Sequence, residues 1–193
     1  MKRLSILLVL TIILLNSLYS QERNTMKEVG IYFSNFDAFG IRYKFGNEKH
    51  MFRITALSLN FGDSKYKNIN GTGVNQNETL GGIGLNVGLE FPTELTENFN
   101  FYYGGELSGS YSYNKSQRIG NDANKSNYYR AGIGFVMGFS YRISSNILLS
   151  AEIVPCLNYS ANTNNSSTTS TRIGFDLNNN SAGITLSYKF NKK

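Results

Sequence analysis

The chain has 193 residues, 40% of them hydrophobic and 17% charged, with a formal net charge of +6. That length suits one domain or one small barrel, and so mild a positive balance does not argue for nucleic acid as a partner. The one cysteine, Cys156, excludes an intramolecular disulfide, so stability has to come from packing and hydrogen bonding.

Lys2 and Arg3 precede an apolar run from Leu4 to Leu15, broken only by Ser5 and Thr11, and a more polar stretch, Asn16 to Ser20, leads into Gln21. Basic, hydrophobic and cleavage regions in that order predict a secretory signal peptide over residues 1–20, cut after Ser20, although Leu18 is larger than the small residue usual at that position. The run is shorter than the ~20 apolar residues of a spanning helix, and no nearby cysteine offers a lipid anchor. Removing the leader leaves residues 21–193 as one domain with 17 basic residues (19 less Lys2 and Arg3) against 13 acidic ones, a net +4. A basic surface of that size suits anionic lipopolysaccharide or lipid. No later stretch approaches helical membrane length, so a membrane placement demands a closed sheet.

Strand patterns then follow one another. Val29, Ile31 and Phe33 alternate with other residues, as do Phe39, Ile41, Tyr43 and Phe45. The stretch 51–61 changes parity, with Phe52, Ile54 and Ala56 at even numbers and Leu57, Leu59 and Phe61 at odd ones; a bulge near Ala56 restores one face. Segments 83–91, 99–113, 129–143 and 147–159 keep their apolar residues at odd numbers, from Ile83 through Tyr159. Among those 28 odd positions none is charged, where chance would place roughly five, so the period of two is a real signal. The even positions carry glycines, serines and charges. Last comes Ser181 to Phe190, with Ala182, Ile184, Leu186, Tyr188 and Phe190 on one face. Pro155 interrupts the seventh strand and removes a ladder donor, which predicts a local bulge there.

This makes about eight strands, an even number as single-chain bacterial barrels require. The links alternate in length: Gly46–His50, Pro92–Asn98 and Ser144–Asn146 are short, whereas 62–79, 114–127 and 160–172 are long, polar and expected to be loops. Ser34–Ala38 is the one short link on the long-loop side. With both termini in the periplasm, short turns fall inside and long loops outside. Aromatics sit at both ends of the strands: Phe45, Phe52, Phe91, Phe99, Tyr141 and Phe190 on one side, Phe33, Phe39, Phe61, Tyr113, Tyr129 and Tyr159 on the other. Two such girdles bracket a membrane. The predicted fold is all-β, an antiparallel up-and-down transmembrane β-barrel of about eight strands. A soluble lipocalin-like barrel is the rival, and it gives no reason for aromatics at both ends of the apolar face.

In signal peptide, strand pattern and terminus the chain resembles the small outer-membrane β-barrel domains of the OmpA-transmembrane and OmpX kind. The resemblance implies residence in the cell outer membrane, insertion by the barrel-assembly machinery, and a C-terminal assembly signal formed here by Ser181, Gly183, Leu186, Tyr188 and Phe190. No peptidoglycan-binding domain is expected after Phe190, which puts a cell-wall tethering role in doubt.

An eight-stranded interior is only wide enough to be filled by side chains, so its charges should pair. Arg42, Lys44, Glu90, Glu106, Arg130, Arg142 and Glu152 are the candidates for an interior network, structural or gating, together with Lys189 and with Glu106, Glu152 and Arg130 near its centre. The inward glycines Gly84, Gly88, Gly104, Gly132, Gly134 and Gly138 would leave room for large neighbours. Catalysis is not expected: His50, the sole imidazole, sits in a predicted turn with no recognisable nucleophile, and Gly132 to Gly138 lacks the strand-then-helix setting of a phosphate loop. Cys156 reads as an inert small residue. No cofactor or metal site is expected. Three function classes remain: a structural or surface-interaction barrel meeting an extracellular or envelope protein through its outer loops, a narrow porin or small-solute channel, and an accessory component of an export or assembly complex.

Overall fold

The computed structural model describes residues 26–35, 38–66, 76–118, 123–165, 168–177 and 181–190. The predicted leader and its cleavage site lie outside that set. Ten strand segments are present: β1 (Met26–Asn35), β2 (Ala38–Gly46), β3 (Met51–Tyr66), β4 (Gln76–Thr96), β5 (Phe99–Arg118), β6 (Asn124–Arg142), β7 (Ile147–Ile153), β8 (Cys156–Asn164), β9 (Thr168–Asp176) and β10 (Ala182–Phe190). All pairings are antiparallel. The order β5-β4-β3-β2-β1-β10-β7-β6, with β6 returning to β5, closes a ring of eight. First and last strands meet, Val29 opposite Tyr188 and Phe33 opposite Ile184.

Ten segments make eight staves because two staves are interrupted at the same height. β7 and β8 are halves of one strand, and both keep a single register on β6, Met137 opposite Ile153 and Gly134 opposite Cys156. The predicted bulge at Pro155 is therefore corrected: the proline breaks the strand by lacking a donor, but no residue is inserted beside it. The extra residues are in the facing stave, where Ala182 pairs with Ile153 and Asp176 with Cys156. Five residues separate Asp176 from Ala182, where two separate Ile153 from Cys156. Val154 still donates, to the Ser181 carbonyl at 2.6 Å. The parity change in β3 does come from an irregularity, a register shift between Leu57 and Asn60.

The apolar face points outward. β10 alternates without error, Ala182, Ile184, Leu186, Tyr188 and Phe190 exposed and Gly183, Thr185 and Ser187 buried. Ile133 is 65% exposed and Leu107 57%; in water so large an apolar surface would be an aggregation liability, and in a bilayer it is the solvated face. Aromatic contacts mark both rims. Phe45 stacks on Phe52 at 5.4 Å and Phe99 on Phe139 at 5.3 Å at the inner end, and Tyr111 lies 5.0 Å from Tyr129 at the outer end. Phe61's side chain lies outside the described set.

The predicted loops are largely strand. β3 runs to Tyr66 and β4 starts at Gln76, β5 runs to Arg118 and β6 starts at Asn124, and β8 and β9 leave only residues 165–167 between them. Sequence alternation stops at the rim because neither face of a strand in water has to be apolar, while Ser and Thr remain compatible with the ladder. β4, β5 and β6 reach 21, 20 and 19 residues, against the ~9–11 needed to cross. The short inner link shrinks likewise, since β4 extends to Thr96 and Pro92 pairs with Tyr102.

Candidate functional site

The inward face of the ring carries a layer of ion pairs. Arg42 from β2 donates through Nη2 to Glu152 of β7 at 2.7 Å, through Nε to Thr55 at 2.9 Å and through Nη1 to Thr185 at 2.9 Å. Its guanidinium also lies 4.1 Å over the Tyr32 ring. Arg53 from β3 grips Glu152 with both terminal nitrogens, at 2.9 and 2.8 Å, and reaches Glu106 at 2.9 Å and Glu90 at 3.5 Å. Lys44 donates to Glu90 at 2.7 Å and sits 4.8 Å over the Tyr102 ring, while the Tyr102 hydroxyl donates to Glu152 at 3.0 Å. Asn86 donates to the remaining side of Glu106 at 3.0 Å.

Three cations thus face three carboxylates, all buried, and the layer is formally neutral. Each buried charge has an opposite partner, which is the condition for keeping such groups ionised away from water. Room for the two tyrosines comes from glycine on the facing strands. A Cβ on Gly183 would lie 2.3 Å from the Tyr32 ring, and one on Gly138 2.6 Å from Tyr102.

The predicted charges divide into three levels. Arg42, Lys44, Glu90, Glu106 and Glu152 converge in the layer. Arg130 lies above it, paired with Asp176 of β9 and donating to Asn158 at 3.1 Å; Asn158 donates in turn to Asp176 at 2.9 Å. Arg130 is therefore not at the centre expected from sequence, because β6 places it at the height of Ser110, two steps above the Glu106 row. Arg142 is exposed at the inner rim, where its backbone amide donates to Asn98 at 2.8 Å, and it makes no ion pair among the described residues. Lys189 lines the inner cavity. Arg53, which makes the most ion pairs among the described residues, is missing from the sequence-based set; the signal for it is that Phe52, Ile54 and Ala56 turn outward and so turn Arg53 and Thr55 inward.

A polar cavity lies on each side of the layer. The outer one, about 230 Å³, is lined by Tyr32, Glu106, Arg130, Cys156, Asn158 and Asp176 among others. The inner one, about 160 Å³, is lined by Lys44, Glu90, Tyr102, Arg142 and Lys189 among others. Cys156 contacts Asn158 at 3.1 Å and Ser108 at 3.9 Å. His50 occupies the inner turn before β3, its ring nitrogen 3.3 Å from the Asn47 amide. In the terminal strand Ser181 and Gly183 face inward and buried, whereas Leu186, Tyr188 and Phe190 are exposed on the outward face.

No protein-family model and no curated protein matches the chain. Solved structures do. A major outer membrane protein from Thermus thermophilus aligns with TM-score 0.53 and 9% identity, covering 87% of this chain and 100% of that one. The attachment invasion locus protein Ail of Yersinia pestis, in complex with the heparin analogue sucrose octasulfate, aligns with TM-score 0.44 and 11% identity over 86% of this chain and 96% of that one. The N-terminal β-barrel domain of Pseudomonas aeruginosa OprF gives 0.38 and 13%, over 88% and 100%. The first of these carries the assignment: the fold is the outer-membrane β-barrel, the one implied by the resemblance to OmpA- and OmpX-like domains. With a ring closed by hydrogen bonds and an outward apolar belt, the chain is built as a membrane-spanning barrel of that fold.

Proposed function

We propose that this chain is a plugged barrel that anchors a surface-interaction platform, with its work done at the outer end and not through the bore. The observation that carries this reading is the extension of β4, β5, β6, β8 and β9 as one hydrogen-bonded sheet past the membrane belt. Above the row of Tyr111 and Tyr129, β4, β5 and β6 continue for seven, seven and five residues, roughly 20 Å of strand. A sheet displayed this way presents its strands in fixed register, a suitable basis for binding an extracellular or envelope protein. The neutral ion layer supports the other half of the proposal, since a filled eight-stranded bore has no continuous water path.

Two measurements test it together. Purified protein in a planar bilayer is expected to give no single-channel steps. Variants with the β5–β6 and β8–β9 hairpins shortened to the rim are expected to lose cell adhesion while keeping the gel shift between boiled and unboiled samples. Discrete conductance steps from the wild type would replace this reading with a narrow porin. Undiminished adhesion by correctly folded, shortened variants would remove the platform role, and stable co-purification with export or assembly components would then favour an accessory function.

A further inference from the structure

Along the outward face of the β5–β6 ladder, directly opposed residues pass from hydrocarbon to water in ordered steps. Leu107 faces Ile133, Gly109 faces Ala131, Tyr111 faces Tyr129, Tyr113 faces Asn127, and then Lys115 faces Lys125. The tyrosine pair marks the interface: its rings are 5.0 Å apart, and the Tyr111 hydroxyl donates to Asn127 at 2.9 Å. The lysines are four residues further along each strand, on the same face. At ~3.3 Å per residue and a strand tilt of about 40°, that is roughly 10 Å above the tyrosines. A four-carbon lysine stem laid along the wall returns the ammonium about half that distance. Both charges therefore reach headgroup height while their stems stay on the barrel.

Directly opposed like charges weaken a ladder, and the strands on either side bring no cation or carboxylate directly against these two among the described side chains. Neither lysine forms an ion pair among the described residues. Lys115 faces Thr79 on β4, with Asp63 one strand further along the row. On its other side Lys125 exchanges hydrogen bonds with Asn165, its amide donating to the Asn165 side chain at 2.8 Å and its carbonyl accepting from the Asn165 amide at 2.8 Å. The strands adjoining the pair thus present hydroxyl and amide groups at this level, and two cations whose repulsion an anion would relieve. The anion that a bilayer supplies at headgroup height is phosphate, whose several oxygens can accept from two ammonium groups at once.

We propose that Lys115 and Lys125 form a clamp for the phosphate group of an outer-leaflet glycolipid, fixing one phosphorylated lipid against the β5–β6 wall just above the tyrosine girdle. The clamp needs only the membrane placement of the barrel, so it is independent of the platform role.

The test uses the full-length protein refolded in detergent micelles, with lipid A carrying its phosphates, dephosphorylated lipid A and inorganic phosphate as three probes. Wild type is expected to bind phosphorylated lipid A roughly thirtyfold more tightly than K115T/K125T does, from two near-surface lysine contacts. K115R/K125R should restore most of the affinity, and raising salt from low to high ionic strength should weaken wild type far more than K115T/K125T. The gel shift on boiling verifies that each variant is folded, and K125T alone serves should the double variant fail that check. Equal affinity of wild type and folded K115T/K125T overturns the clamp. So does equal binding of dephosphorylated lipid A, or binding of inorganic phosphate as tight as that of lipid A, which would make the pair a free-phosphate site with no lipid specificity.

Discussion

Arg53→Met is the sharpest probe of the ion layer. Methionine keeps most of the arginine stem's packing volume and removes the charge. Lys44 still holds Glu90 at 2.7 Å and Arg42 still holds Glu152 at 2.7 Å, but Glu106 loses its cation and retains only the Asn86 amide. A buried carboxylate left in that state costs about 3–5 kcal/mol. Glu106→Gln removes the ion pair to Arg53 and leaves the Asn86 hydrogen bond with a neutral acceptor, while Arg53 keeps Glu152 and Glu90, a loss of about 1.5–3 kcal/mol. In the double variant the stranded charge is gone, so R53M/E106Q should be more stable than R53M alone, with a coupling of at least about 2 kcal/mol. Urea unfolding from lipid vesicles, read by the loss of the unboiled gel band, gives all four stabilities. The reasoning fails if the two single losses simply add, or if R53M costs less than about 1 kcal/mol, because the layer would then be hydrated enough to tolerate an unpaired carboxylate.

Further outcomes follow from the levels of the wall. Ile133→Lys, on the lipid face in the belt, should lose about 2–4 kcal/mol, whereas Gln117→Lys, above the girdle on the same face, should stay within about 0.5 kcal/mol; comparable losses at both would refute the placement of the belt. Cys156 lines the outer cavity, so an impermeant thiosulfonate should label it from the hairpin side of oriented vesicles and not from the turn side, and equal labelling from both sides would show that the ion layer does not close the bore. Phe190→Ala removes an exposed ring at the end of β10. If Ser181 to Phe190 acts as an assembly signal, this change should lower the amount of barrel reaching the outer membrane in cells while leaving the unfolding free energy of refolded protein within about 0.5 kcal/mol; normal insertion would dismiss the signal.

The membrane-spanning half of each stave was legible because two solvents impose opposite demands on its two faces. Ile133, Phe135, Met137 and Phe139 could be assigned outward from parity alone, and the inward glycines told that something large would face them, as Tyr102 does Gly138; Gly183, which gives room to Tyr32 in the same way, was not in that set. Above the rim that constraint ends. Segments such as Asn114 to Arg118 and Thr168 to Thr171 are strand with polar residues on both faces, and pairing there is fixed by register inherited from below. The interior was legible only as a set of charges. Which cation meets which carboxylate depends on the relative height of strands, so Arg130, on the correct face, went to Asp176 and not to Glu106. Arg53 was obscured by the register shift between Leu57 and Asn60, which broke the parity by which the other inward residues were recognised.

The interruption at Pro155 joins these observations. A proline in a membrane stave removes one donor, and lipid offers no substitute. Here the loss falls where the facing stave carries extra residues, and the Ser181 carbonyl takes the Val154 amide that would otherwise be stranded. The same displacement separates β9 from β10, so that Asp176 arrives beside Arg130 at the outer cavity while Thr185 stays beside Arg42 in the layer. Below the interruption the last stave closes the ring against β1; above it, β9 pairs among the described residues with β8 alone, which leaves the described sheet with a free edge. One backbone irregularity thus marks where a closed membrane wall becomes an open sheet in water. Edge pairing is unsafe in hydrocarbon but usable outside it, so the height of this break relative to the bilayer fixes how much of the sheet is available to a partner.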